Sequence, residues 1–545
     1  MAPLNFSSTL SHRMLSRRQL LHGFAAVAAS SVLTGCGAAL VRSISTSNGA
    51  PPATPPATPP TAPPATPPAA PPAAPPAAPP AAPPATPPTQ PPAPVPQPVP
   101  TGAITSASLT VASTTAGSFD AGFLGLAYEK QSLLTPLFAD SNLLGLFERL
   151  GPGVLRIGGA SVDQSVWTPD GPGRTPGQVA PSDVDALAAF LRATGWSCIY
   201  GINLGGSATG ATTPALAAAE VAYVAQKLGS ALLGVELGNE CETYGASFYP
   251  NNWSVEIFEA LWQQYRSAIV AVTPGAPLCG PAAGSNLDTW TLPFGEYVTS
   301  SQISLLTQQY TRGPVSTASV DDLITPDSAL STELLMLHYG AQSIDVPFRI
   351  DGLSCYDDDG APGVSNTYAA ALWVIDTIFQ SALGGASGVN LQCGGQQPGT
   401  AIADNNGSVL GPQPVFYGAL LAAMAGTGNL LSTQLSAGAL NVTAYALQTA
   451  TGMSLLLVNK DATANLELSV DLPQAMASAT LQQMTQLSTG ATEPSLAALS
   501  GISIQGAAVA TDGAFQPGAP YPLTLNGTQL SCYVPALGAV LIQLT

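Results

Sequence analysis

The run Gly234-Val235-Glu236-Leu237-Gly238-Asn239-Glu240 reads as a short strand that breaks at a glycine and ends in an amide beside a carboxylic acid. At a strand end, such a pair can do acid–base chemistry. The acid protonates a leaving oxygen, and the amide holds a neighbouring sugar hydroxyl. The plainer alternative is an N-cap for the next helix. Glycoside cleavage calls for a second carboxylate, and Asp351, at the end of the run Arg349-Ile350-Asp351, is the candidate. Behind it stand Ser354-Cys355-Tyr356 and an acidic turn, Asp357-Asp358-Asp359-Gly360. Carboxyls about 5–5.5 Å apart suit direct attack, whereas about 6.5–9.5 Å leaves room for a water. Glu240 is therefore read as acid/base, and Asp351 as nucleophile or as base for a water.

These two residues are 111 positions apart, so a scaffold must bring them together. From about residue 120, strand-like and helix-like runs alternate. Val184, Leu187, Phe190 and Leu191 fall at helical spacing, with Ser182 as N-cap and Gly195 past the end. Residues 198–204 then read as a buried strand, Pro214 opens a second helix, and residues 233–237 form the next strand. Ile257, Leu261, Tyr265 and Ile269 line a third helix. Strand-like runs recur at residues 303–310, 347–351 and 388–391. Repeated βα units imply a parallel sheet. No G-x-G-x-x-G follows a strand, which disfavours a dinucleotide fold. The pattern predicts an α/β protein, a (β/α)8 TIM barrel over residues 104–426 with its chemistry at the C-terminal strand ends. Past residue 427, short strand-like runs separated by Gly, Asn, Asp and Pro predict an antiparallel β-sandwich to residue 545. Residues 106–118 precede the barrel and are read as joining that sandwich.

Several separated motifs stand in a recognisable order: Phe123-Leu124-Gly125-Leu126-Ala127-Tyr128-Glu129-Lys130, Leu155-Arg156-Ile157-Gly158-Gly159, Gly238-Asn239-Glu240, Leu305-Leu306-Thr307-Gln308, and Gly363-Val364-Ser365 with Ala371-Leu372-Trp373. Together they resemble glycoside hydrolase family 79, which holds β-glucuronidases and heparanase, from about residue 106 to the C-terminus. The resemblance implies a retaining barrel enzyme with Glu240 as acid/base and Asp351 at the nucleophile position. It implies that Glu129 touches the sugar's hydroxyls and that Tyr356 and its loop face the sugar's C5 substituent; Asn239, Tyr310 and Asp358 complete the expected sugar-binding set. The chain departs from the family where aspartate (Asp351) replaces glutamate and where Asp357-Asp358-Asp359 replaces glycines that would bind a glucuronate carboxylate. Ala160, Gln309, Thr311 and Gln392 are further departures. Three carboxylates would repel an anionic sugar. The resemblance thus leaves two readings: a glycosidase of altered specificity, or a carbohydrate-binding or surface-interaction relative with impaired catalysis.

The bulk chemistry narrows the partners. A formal net charge of -18 argues against nucleic acid, which the field would repel. The seven cysteines contain no C-x-x-C pair, and His12, His22 and His338 are scattered, so no metal or cofactor is expected. Cys198, Cys241, Cys279, Cys355, Cys393 and Cys532 are read equally as disulfide partners or buried thiols. At the N-terminus, Arg13, Arg17 and Arg18 precede an apolar stretch, Leu20 to Val32, too short to span a bilayer securely. Ser16-Arg17-Arg18-Gln19-Leu20-Leu21 resembles a twin-arginine export signal, and Leu33-Thr34-Gly35-Cys36 a lipoprotein cleavage box. Residues 1–36 are read as that signal, with Cys36 the lipidated membrane anchor; an uncleaved signal anchor and a secreted chain are the alternatives. Residues 37–103 form a linker whose Pro-Pro-Ala-Thr and Pro-Pro-Ala-Ala repeats dictate polyproline II, reaching on the order of 150 Å. The expected location is the cell envelope or outside the cell.

Overall fold

The computed structural model describes residues 95–545 apart from 251, 358 and 492. The export signal, Cys36 and most of the linker therefore lie outside the described residues, as does Asp358.

Eight parallel strands close into a barrel: Leu124–Glu129, Val154–Gly158, Ser197–Ile202, Leu232–Leu237, Leu278–Ala283, Leu305–Thr311, Phe348–Ser354 and Val389–Gln392, the last pairing back to the first. They are numbered one to eight below in that order. Each is followed by a helix, for example Pro181–Thr194 after the second and Val255–Val272 after the fourth. Helices cover the outside and side chains fill the inside, so the strands are buried on both faces. Strands two and seven are buried at every position, so the charged residues they carry, Arg156, Arg349 and Asp351, must find partners inside the barrel. The helix Pro181–Thr194 begins one step earlier than its expected cap at Ser182. Ala180 is the N-cap, Pro181 takes the first helical position, and the Asp183 carboxylate accepts from the Ala180 N–H at 2.9 Å. Gly195 adopts φ 72° and ends the helix, as its position predicts.

The expected sandwich takes the form of one eleven-stranded, mostly antiparallel sheet that curls over its own core. The strand Ala103–Phe119 enters it centrally, antiparallel to Gly428–Ser436 and parallel to Ala464–Asp471. Period-two alternation sorts the side chains of Gly452–Asn459. Leu455 and Leu457 join the sheet's own core, while Leu456 and Val458 join the barrel's core. A buried polar lock spans the same junction. Asp376, on the barrel helix Tyr368–Leu383, accepts from Lys460, Thr443 and Tyr445 of the sheet.

The six described cysteines are buried and free, the thiol alternative of the two.

Candidate active site

The barrel interior is layered with polar side chains, and their depth decides what each can do. At the N-terminal end, Arg349 gives its Nε to Asn390 Oδ1 at 2.5 Å and its Nη atoms to the carbonyls of Gly122, Phe123 and Val389 at 3.1, 3.1 and 3.2 Å. This guanidinium braces the barrel floor. One layer up, Arg156 from strand two faces two carboxylates. Its Nε lies 2.8 Å from Glu236 Oε2 and 3.0 Å from Asp351 Oδ2. Its Nη2 donates to Asn239 Oδ1 at 3.0 Å. Burial works against the Arg156 charge, but Asp351 and Glu236 hold it above its ordinary value.

Asp351 therefore sits level with Glu236, inside strand four, not with Asn239 beyond that strand's end. It is 0% exposed. Burial pushes its carboxyl well up, Arg156 opposes that, and Glu236 adds to it.

Glu240 stands at the C-terminal mouth, where barrel chemistry belongs. Gly238 turns the chain at φ 84°, and Glu240 itself is left-handed, φ 46° and ψ 49°, a costly conformation for a residue with a side chain. Its N–H is tied to the Ala282 carbonyl at 3.1 Å. The side chain is half-buried and makes no hydrogen bond among the described residues. Burial raises its pKa, Arg156 opposes, and Glu129, Asp359 and Asp357 add to the rise. That combination favours a protonated acid with an open face.

The other expected site residues divide. Asn239 is at the mouth, its Oδ1 held by Arg156 and by Gln309 Nε2 at 3.1 Å. Glu129, at the end of strand one, accepts from the Ala160 and Ser161 N–H groups at 3.1 and 2.8 Å and from the Ser161 hydroxyl. Tyr310 and Tyr356 turn elsewhere. Both are nearly fully buried; Tyr310 donates to Asp327 at 2.7 Å and Tyr356 to Asp322 at 2.9 Å. Their hydroxyls brace the loops around Arg312, which pairs with the same two aspartates.

Glu236 and Glu242 have no role in the sequence reading, and Gln309 figures there only as a departure from the family pattern. A charge inside an apolar strand must be paired, so Glu236 carried a usable signal. Glu242 accepts from the Gly284 and Ser285 N–H groups at 2.7 and 2.8 Å, and burial lifts its pKa to about 7. Nothing in its surroundings in sequence foretells that. Two hollows lie away from this mouth: one of about 340 Å³ at the N-terminal strand ends beside Arg349, the other of about 280 Å³ beside Trp196.

No family model matches the sequence, and no curated protein matches it. Solved structures do match in shape, and the class they define is the TIM-barrel glycoside hydrolase fold with an appended sheet. One is a 4-O-α-L-rhamnosyl-β-D-glucuronidase from Fusarium oxysporum 12S, with TM-score 0.66 and 15% identity, covering 80% of this chain and 100% of that one. Others are a GH51 arabinofuranosidase from Xanthomonas axonopodis pv. citri (0.58, 16%, 81% and 100%) and a GH44 xyloglucanase from Paenibacillus polymyxa (0.57, 11%, 81% and 100%). Identities this low establish the architecture alone.

Proposed function

We propose that the barrel mouth takes a neutral β-linked sugar and that Glu240 protonates its glycosidic oxygen, as in a family 79-like glycosidase. The observation that carries this reading is the half-buried Glu240 at the end of strand four, with a raised pKa and Asn239 beside it. Asn239 is positioned to hold the sugar's 2-hydroxyl. The acid needs its proton, so turnover is present below the Glu240 pKa and falls as pH rises through it. Neutral sugars are favoured because Glu129, Asp357 and Asp359 all press on Glu240 electrostatically, and a glucuronate would add another negative charge there. The signal and linker motifs support display at the cell envelope through a lipid on Cys36.

The test is release of nitrophenol from 4-nitrophenyl β-glucoside, galactoside, xyloside and glucuronide. Glu240→Gln is expected to lower kcat/KM by about 10²-fold or more and to erase the alkaline limb of its pH profile. Best turnover of the glucuronide, or an unimpaired Gln variant, sinks the proposal. A second reading, sugar binding without turnover, is favoured by one observation: Asp351 has no exposed surface.

A further inference from the structure

Asp351 is one residue too many on its strand. Strand seven pairs with strand six as Ile350 with Gln308 and then Gly352 with Gln309, leaving Asp351 in a bulge. The bulge restarts the alternation, so that Gly352, one residue nearer the mouth, also faces inward. A Cβ built on Gly352 would lie 2.7 Å from Gln309 Oε1 and 3.0 Å from its Cγ. The same Gln309 amide donates to Asn239 Oδ1 and to the Ala282 carbonyl, the carbonyl that also receives the Glu240 N–H. Gly352 is thus the strand-seven residue that faces Gln309, the side chain reaching Asn239 and the carbonyl that holds the Glu240 N–H. Asp351 is sealed one layer below by Arg156, whose free arm holds Asn239. The backbone at Gly352 lies outside the left-handed region, so its conformation does not require glycine.

Resting on Glu240 as the acid of a sugar site, we propose that Gly352 occupies the position from which the second carboxylate would reach the anomeric carbon. The chain supplies only the proton donor, and the attacking group comes from another molecule, a small anion or water. With azide as that anion, a nitrogen lone pair forms the bond to C1 while the C1–O bond breaks. The electron pair of that bond leaves on the oxygen, which takes the Glu240 proton. The products are a glycosyl azide of inverted configuration and the free alcohol, and Glu240 recovers its proton from solvent. Glu129, Asp357 and Asp359 put negative charge near Glu240, which opposes any anion, so azide has to be supplied at high concentration.

The experiment measures nitrophenol release from the same neutral 4-nitrophenyl β-glycosides, with sodium azide titrated against sodium chloride at equal ionic strength. Sugar binding is followed by calorimetry. Wild type is expected to speed up about tenfold or more with azide and to form the glycosyl azide. Gly352→Glu, alone or with Gln309→Ala to clear its path, is expected to hydrolyse without azide and with retention. The azide arm uses the unaltered protein, so it stands even if the Glu variant fails to fold. Full wild-type turnover that ignores azide and vanishes in Asp351→Asn would overturn the inference, making Asp351 the attacking group. Sugar binding with no release, with azide or in Gly352→Glu, overturns it too and leaves a binding site. Absence of sugar binding overturns both this inference and the functional reading beneath it.

Discussion

Arg156 is the residue on which the interior depends. It is the only cation in contact with Glu236 and Asp351 among the described residues, and it also orients Asn239. Removing it strands two carboxyls in a medium that cannot solvate them. Arg156→Met is expected to cost about 3–5 kcal/mol in urea unfolding, because the partners stay behind unpaired. Asp351→Asn is expected to cost much less, since Arg156 and Glu236 then pair one to one. Equal losses from both variants would contradict this arrangement. The sequence is informative here where chemistry is local. Asn239-Glu240 at a strand end identified itself by residue type and by the glycine before it. The depth of Asp351 did not, because depth follows from pairing with strand six, and a bulge shifts every later residue by one.

At the scale of elements, helices were the more legible, since a 3.6-residue period survives whatever packs against it. The helix at 181–194 was missed only at its cap, where Asp183 reaches back to Ala180 and Pro181 fills the first turn. The strand before the barrel was recognised as part of the sheet, but its length and central placement depend on two distant partners. It spans Ala103–Phe119 and covers one edge each of Gly428–Ser436 and Ala464–Asp471. Both would become bare edges without it, ready to pair with another chain. Truncation to residue 120 is therefore expected to yield aggregated protein in size-exclusion chromatography, whereas a chain beginning at residue 95 elutes as a folded species. A soluble, folded product from the shorter chain would show that the strand is dispensable.

For the whole molecule, the proposed lipid anchor is open to a direct test. Cys36→Ser is expected to abolish palmitate labelling and to release the protein from the membrane fraction; unchanged fractionation would refute the lipid anchor. If the anchor holds, every tug on the tether arrives at the strand Ala103–Phe119. Eight residues of that strand, Ala103 to Thr110, are in register with one neighbour, and Ser108 to Phe119 pair with the other. Force along such a strand loads its cross-links side by side, as in a lap joint, and none can be peeled away singly. On that anchor, a pull would meet a strand held along both of its edges before it reached the barrel.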